Sequence, residues 1–316
     1  MKILITGSRG LIGSALTNAL SQLGIETISF DKKTRLDGTS AQDILNKDQL
    51  KEAAYPCQGI IHLAAVSRVI WGEQNPGLCW KTNYEGTLNV LEAACYSPHK
   101  PWVIFSSSRE VYGNPQSLPV TEQAPINPIN IYGQSKAAAE ESILQIRKEG
   151  IKTVVVRYSN VYGSIDDHPD RVIPAFCRAA AQGYPLRIDG SLNTFDFVHL
   201  EDTVRGTLKI VDHLMNKEKA LPPLHLTTGR ETSLKEAADL AIKAGDKHSR
   251  IIQAPSRTFD VSHFSGNARQ TMNILGWAPK IRIEEGIKDL TCLFQKHYQA
   301  RSQDYVTFKR VQHDYS

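Results

Sequence analysis

The stretch KILITGSRGLIGSALTNALSQLG, residues 2–24, decides the fold of this chain. Lys2–Thr6 is a short apolar run of strand type, and 11–23 carries apolar residues at helical spacing. Gly7, Gly10 and Gly13 stand between them. Glycine at such a junction serves a sharp backbone turn and a close approach of the backbone to another group. The helix that follows offers free N–H groups and a positive dipole end to a phosphate. Gly7, Arg9, Gly10, Leu11, Ile12 and Gly13 therefore read as a cradle for a dinucleotide pyrophosphate.

Working outward, Glu26–Phe30 reads as a second strand that ends at Asp31. A carboxylate there accepts hydrogen bonds from the adenosine ribose hydroxyls and repels a 2′-phosphate, which favours NAD over NADP. Lys32, Lys33 and Arg35 follow at once and blunt this preference, unless they form only a solvated loop. Strand-type runs recur at 59–65, 103–107 and 153–157, with helical spacing at 84–95 and 134–148. Such alternation predicts an α/β fold with a doubly wound, parallel, Rossmann-type sheet. After Val161 the pattern loosens, with Pro-, Gly- and Asp-rich segments at 164–174 and 220–224 and helical spacing at 233–244 and 283–297. A smaller C-terminal α+β substrate lobe is expected. The expected division is 1–163 for the dinucleotide domain, 164–299 for the lobe, with the chain free to cross back, and 300–316 for a polar tail. Tyr305, Phe308 and Tyr315 in that tail are candidates for docking on a partner.

Composition narrows the function classes. The 316 residues are 41% hydrophobic and 22% charged, as in ordinary globular chains. The 37 basic and 33 acidic side chains leave +4, without the basic stripe that nucleic acid requires. No run approaches the ~18 apolar residues of a membrane span, and the opening segment reads as neither span nor signal peptide. The five cysteines, Cys57, Cys79, Cys95, Cys177 and Cys292, form no C-x-x-C pair. They predict reduced thiols in a cytoplasmic protein without a metal site.

Tyr132 and Lys136 form Y-x-x-x-K at a helix start, and a spacing of four places both on one face. A phenol titrates near ~10, too high for a base at neutral pH. A neighbouring ammonium and a positive nicotinamide favour the phenolate, so Tyr132 can take a hydroxyl proton.

The chain resembles the extended short-chain dehydrogenase/reductase family, in its NAD-dependent nucleotide-sugar epimerase/dehydratase branch. The resemblance runs from Met1 to about His297. It rests on GSRGLIG (7–13), HLAA (62–65), TNYEGTLNVLEAA (82–94), SSSREVYG (106–113), YGQSK (132–136), RYSNVYG (157–163), FDFVHLED (195–202) and LGWAPK (275–280). It implies Lys32, Asp43 and Ile44 beside the adenosine. Leu63, Ala64, Ala65 and Ser67 would line the pyrophosphate and ribose, with Asn83, Ser106, Ser107, Tyr158 and Val161 also near the cofactor. Ser108 stands where the family places its catalytic hydroxyl, Asn160 where it meets the substrate, and Arg257 matches a phosphate-binding arginine. A homodimer through helices 84–95 and 134–148 is implied as well.

In the family, C4 of the sugar is oxidised to a 4-keto intermediate, and epimerases, dehydratases and decarboxylases then diverge. Glu110 stands where dehydratases and decarboxylases carry a base. Arg109 replaces the usual acidic residue and suits a carboxylate ligand, as in a uronic acid sugar, unless it only pairs with Glu110. Phe195 replaces the arginine expected before Asp196, removing one clamp on the diphosphate. The leading expectation is a cytoplasmic NAD-dependent nucleotide-sugar epimerase with Ser108, Tyr132, Lys136 and Glu110 catalytic and Arg109, Asn160 and Arg257 on the substrate. The alternatives are a dehydratase or uronate decarboxylase with Glu110 as base, and a non-catalytic NAD-sensing protein.

Overall fold

In the computed structural model the opening stretch forms a strand, β1 (Lys2–Thr6), and a helix, α1 (Leu11–Gln22). The structure describes residues 1–33, 41–217, 219–245 and 248–313, with side chains described as far as residue 300. β2 (Glu26–Phe30), α2 (Lys47–Ala54), β3 (Gly59–His62), α3 (Val69–Gln74), α4 (Pro76–Trp80) and α5 (Gly86–Tyr96) follow. A π turn, Lys81–Glu85, joins α4 to α5. β4 (Trp102–Ser108) runs into a 3-10 turn, Arg109–Tyr112, and α6 (Ile131–Gln145) leads to β5 (Thr153–Tyr158).

Beyond β5 the chain alternates between two compact units. The first holds Met1–Val161, Thr194–Glu231 and Thr258–Lys280; the second holds Tyr162–Asn193, Thr232–Arg257 and the chain from Ile281 onward. Accordingly α7 (Val172–Gln182) lies in the second, α8 (Leu200–Asn216) in the first, α9 (Leu234–Gly245) in the second, α10 (Arg269–Leu275) in the first and α11 (Ile283–His313) in the second. The chain thus crosses back to the first unit twice within 164–299, at Thr194–Glu231 and Thr258–Lys280. A strand of three residues, Leu224–Leu226, joins the sheet of the first unit from within the stretch expected to be lobe. Three residues are too few to show a period. α11 also continues through the expected tail to His313, and the side chains of Tyr305, Phe308 and Tyr315 lie outside those described.

The sheet of the first unit has six strands in the order Leu224–Leu226, β5, β4, β3, β1, β2, all parallel. Both faces are covered, which is why its strands are almost wholly apolar. Ile3 and Ile5 pack with Leu16 and Leu20 of α1 and Ile210 and Leu214 of α8. Leu4 points the other way, to Leu50 of α2, Val90 of α5, and Ala139 and Ile143 of α6. The order reverses at β1 and β3, and open sheets of this kind bind ligands at the carboxyl ends of the strands beside that point.

Two buried histidines brace the unit. His62 bonds Thr6 Oγ1 through Nδ1 (2.7 Å) and Thr87 Oγ1 through Nε2 (3.0 Å). His225, on the Leu224–Leu226 strand, meets Tyr112 Oη through Nε2 (2.6 Å). Burial pushes both rings down to about 3. The unfolded chain takes protons there below about 6.5, the folded chain only near its lower values. Their contribution is complete above the unfolded value and is lost as pH falls through that window. Asp196, which burial pushes up to about 6, opposes them, since its proton favours the folded state below that value. Glu122, which burial also pushes up, opposes them too, but the two histidines are displaced farther, so stability in urea is expected to fall on acidification from neutrality. His62→Gln is expected to shallow that slope; a slope unchanged by the substitution contradicts the assignment.

Candidate active site

The glycine cradle follows β1 at the sheet's reversal point. Gly7 has φ +69°, and a Cβ there would lie 2.7 Å from the Ala64 amide nitrogen. A Cβ at Gly13 would run into the Gly7 carbonyl oxygen, so α1 can start this close to β1 only without a side chain. Gly10 is exposed, leaving the helix N-terminus open to an anion. Ser8 Oγ, in the same loop, is buried with no partner among the described residues. Leu11 and Ile12 pack against the core. Asp31, just after β2, accepts the amides of Arg9 (2.9 Å, Oδ2) and Lys33 (2.9 Å, Oδ1). Lys32 is held by Asp43 at 3.0 Å, which ties up one of the cations expected to blunt the NAD preference. Arg35 lies outside the described residues. Ile44 is buried against Gly86, where a Cβ would come within 2.5 Å of its Cδ1.

The loop after β3 forms the second wall. Leu63 N–H donates to the Thr6 carbonyl (3.1 Å) and Ala64 N–H to Thr6 Oγ1 (3.3 Å), so Ala64 abuts Gly7 and Ala65 follows. Asn83, in the π turn, accepts the Val66 amide (2.8 Å) and donates to the Val66 carbonyl (3.2 Å) and to Ser135 Oγ (3.0 Å). Its amide group is thus engaged in pinning this loop to α6, while Ser67 is exposed. Such π turns recur at functional sites.

The third wall is the end of β4 with the start of α6. Asn130 caps α6, its Oδ1 accepting the Gly133 amide at 2.8 Å. Tyr132 is half-buried in the first turn, and Lys136 follows one turn on. The Lys136 ammonium donates to the Ser106 carbonyl at 2.7 Å and sits 4.9 Å from the Phe105 ring centre. Burial pushes it down to about 8, opposed by Cys79 and Glu140. Ser108 Oγ accepts the Glu110 amide at 3.2 Å. Ser107 does not join Ser106 and Ser108, because alternate residues of a strand face opposite ways. It donates instead to Glu140.

Glu140 belongs to a buried network. Arg157 of β5 donates to it through Nε (3.0 Å) and Nη2 (2.6 Å), and through Nη1 to Tyr112 Oη (2.5 Å) and the Glu122 carbonyl (2.8 Å). Tyr158 is buried with its hydroxyl on Thr207 Oγ1 of α8 (3.0 Å), and Val161 lies in the core. Asp196, fully buried, accepts the Thr228, Gly229 and Gly266 amides and the Thr228 hydroxyl, which fixes the segment bearing Phe195.

Arg109 and Glu110 form a buried ion pair, Nη2 to Oε1 at 2.8 Å with side chains 8% and 6% exposed. Arg109 Nε donates to Asn160 Oδ1 (2.7 Å), and Asn130 Nδ2 to Glu110 Oε2 (2.8 Å). Asn130 thus couples Glu110 to the helix that carries Tyr132 and Lys136. Sequence reasoning missed it, although an Asn just before a helix is a capping signal. Arg257 lies in the second unit, on Asp189 at 3.1 Å.

The profile of the NAD dependent epimerase/dehydratase family matches residues 3–221. The chain belongs to this family. It is 32% identical over 299 residues to a Methanocaldococcus jannaschii protein named "Putative UDP-glucose 4-epimerase", covering 90% of this chain and 96% of that one. It is 28% identical to UDP-glucuronic acid decarboxylase 1 of Danio rerio, covering 96% of this chain and 75% of that one. A crystal structure of UDP-glucose 4-epimerase with UDP-glucose from Thermotoga maritima superposes with a TM-score of 0.87 at 28% identity, covering 94% and 100% of the two chains. The protein is an NAD-dependent epimerase/dehydratase family enzyme, and the residues fit that cofactor: exposed Gly10 leaves the N-terminus of α1 open to a pyrophosphate, and the Asp31 carboxylate just after β2 suits ribose hydroxyls. Asp31→Asn keeps an acceptor but removes the charge that would repel a 2′-phosphate. It is expected to raise the NADP-to-NAD ratio of kcat/KM about tenfold, or about 1.4 kcal/mol. An unchanged ratio would show that the basic loop decides cofactor choice.

Proposed function

We propose that the protein is a nucleotide-sugar epimerase that acts through a transient 4-keto sugar. The observation that carries this reading is the placement of Lys136. Its ammonium is anchored on the Ser106 carbonyl, at the end of the strand that also presents Ser108, one helical turn from Tyr132. Bound NAD would accept a hydride from C4 and return it to the opposite face of the sugar. Tyr132 takes the proton of the C4 hydroxyl and gives it back after the hydride returns. Ser108 donates to the same oxygen and holds it in line. Lys136 favours the Tyr132 phenolate by its charge, and Asn83 holds the loop that bears Ala65 and Ser67 in place.

Glu110 favours inversion over elimination. Both its oxygens already accept hydrogen bonds, from Arg109 and Asn130. If it took a proton, a buried guanidinium would lose its counter-charge, at a cost of roughly 3–5 kcal/mol. We read Glu110 as that counter-ion rather than as a base. Unpaired thiols at all five cysteines support a reducing, cytoplasmic setting. Exposed Leu88 on α5 and Leu144 on α6 support a homodimer through these helices, which light scattering tests.

The test is incubation with UDP-glucose and NAD, read by NMR for a new C4 stereocentre at unchanged mass. Tyr132→Phe is expected to cut turnover by about 10²–10⁴-fold with NAD still bound. Glu110→Gln is expected to cost inversion less than about tenfold. Loss of water or CO2 from the sugar, abolished by Glu110→Gln, would establish a dehydratase or decarboxylase instead.

A further inference from the structure

Arg109 is more than nine-tenths buried, yet one of its nitrogens is unsatisfied. Nε is held by Asn160 and Nη2 by Glu110, while Nη1, buried in the free protein, has no partner among the described residues. The guanidinium carbon lies 4.6 Å from the Phe195 ring centre and 5.7 Å from that of Phe264. Two anchors and two aromatic rings therefore fix the group in one pose, and its free N–H edge has a set direction. Its location is the ligand-binding edge of the sheet: Arg109 follows Ser108 at the end of β4, and Asn160 stands just past β5. A buried donor left unmet in the free protein marks a place where a ligand acceptor completes the site.

The charge of the surroundings selects that acceptor. Arg109 and Glu110 together are neutral. A neutral hydroxyl or carbonyl oxygen would satisfy Nη1 and leave the charge at zero. A carboxylate would set two anions against one cation between phenylalanine rings, where screening is weak. Among the described residues of this unit, the other two buried cations are held elsewhere, Lys136 on the Ser106 carbonyl and Arg157 on Glu140. We infer that Arg109 determines substrate class: Nη1 donates to a neutral oxygen of the sugar, and the Arg109–Glu110 pair excludes a uronate carboxylate from that position. The inference rests on the nucleotide-sugar reading and reverses the sequence-based expectation that Arg109 invites a carboxylate.

The test compares kcat/KM for UDP-glucose and UDP-glucuronic acid with the holoenzyme. The wild type is expected to favour UDP-glucose by about 100-fold or more. Glu110→Gln restores a net positive charge to the position and is expected to narrow that ratio by about tenfold, through better use of the uronate. Arg109→Met together with Glu110→Gln removes the donor without stranding a charge. It is expected to lower kcat/KM for UDP-glucose by about tenfold, chiefly in KM, with unfolding by circular dichroism as the check on folding. Equal or better use of UDP-glucuronic acid by the wild type overturns the inference while the epimerase reading stands. A ratio unmoved by Glu110→Gln does the same. If NAD binds but calorimetry and turnover detect neither nucleotide sugar, the nucleotide-sugar reading falls, and this inference with it.

Discussion

The ion pair between Arg157 and Glu140 is the interaction on which the site depends. Arg157 comes from β5 and Glu140 from α6, and the pair gathers Ser107 of β4, Tyr112 of the 3-10 turn and, through Tyr112, His225 of the last strand. It is almost wholly buried, so each charge needs the other. Removing one partner of such a pair costs roughly 3–5 kcal/mol, far more than the pair gains over an apolar filling. Its value therefore lies in geometry. Glu140 is one turn beyond Lys136 on α6, and Ser107 lies between Ser106 and Ser108 on β4. Locking Glu140 to Ser107 fixes the helix that carries Tyr132 and Lys136 against the strand that carries Ser108.

A division of labour follows from strand periodicity. Ser107 faces the structural network because its neighbours face the other way. The backbone of Ser106 anchors Lys136, and the side chain of Ser108 remains at the strand end. A second tie works from the other side: Asn130 caps α6 and holds Glu110, which holds Arg109, which holds Asn160. Helix and strand end are thus joined twice, once through Arg157 of β5 and once through Arg109, which also reaches the segment after β5. Both ties place a guanidinium between a carboxylate and an aromatic ring, Arg157 over Tyr112 and Arg109 over Phe195.

Legibility differed from element to element. β1 and β2 form over the residues expected, and α1 ends one residue early. The Leu224–Leu226 strand and the return of α8 to the first unit were not legible. A three-residue strand has no period to read, and only its partner β5 defines it. Among candidate site residues, the glycines, Asp31, Tyr132 and Lys136 stand out in the sequence because each answers to a local rule of turn, charge or helical spacing. Asn130, Glu140 and Arg157 were not, because each acts through a partner far away in the chain.

The sequence by itself determined the parallel α/β sheet, the glycine turn between β1 and α1, and the spacing of Tyr132 and Lys136 one turn apart on α6. These depend on local spacing: glycine where no Cβ fits, apolar runs of strand length, and four residues per helical repeat. Only the tertiary structure decided what Arg109, Glu110 and Ser107 do. The sequence left Arg109–Glu110 open between a carboxylate site with a base and a closed ion pair. The fold closes the pair, because it brings Asn160 and Asn130 to opposite ends of it, buries both charges and sets the guanidinium against two phenylalanines. Burial makes each charge require the other, and burial belongs to the folded chain, not to the order of its residues.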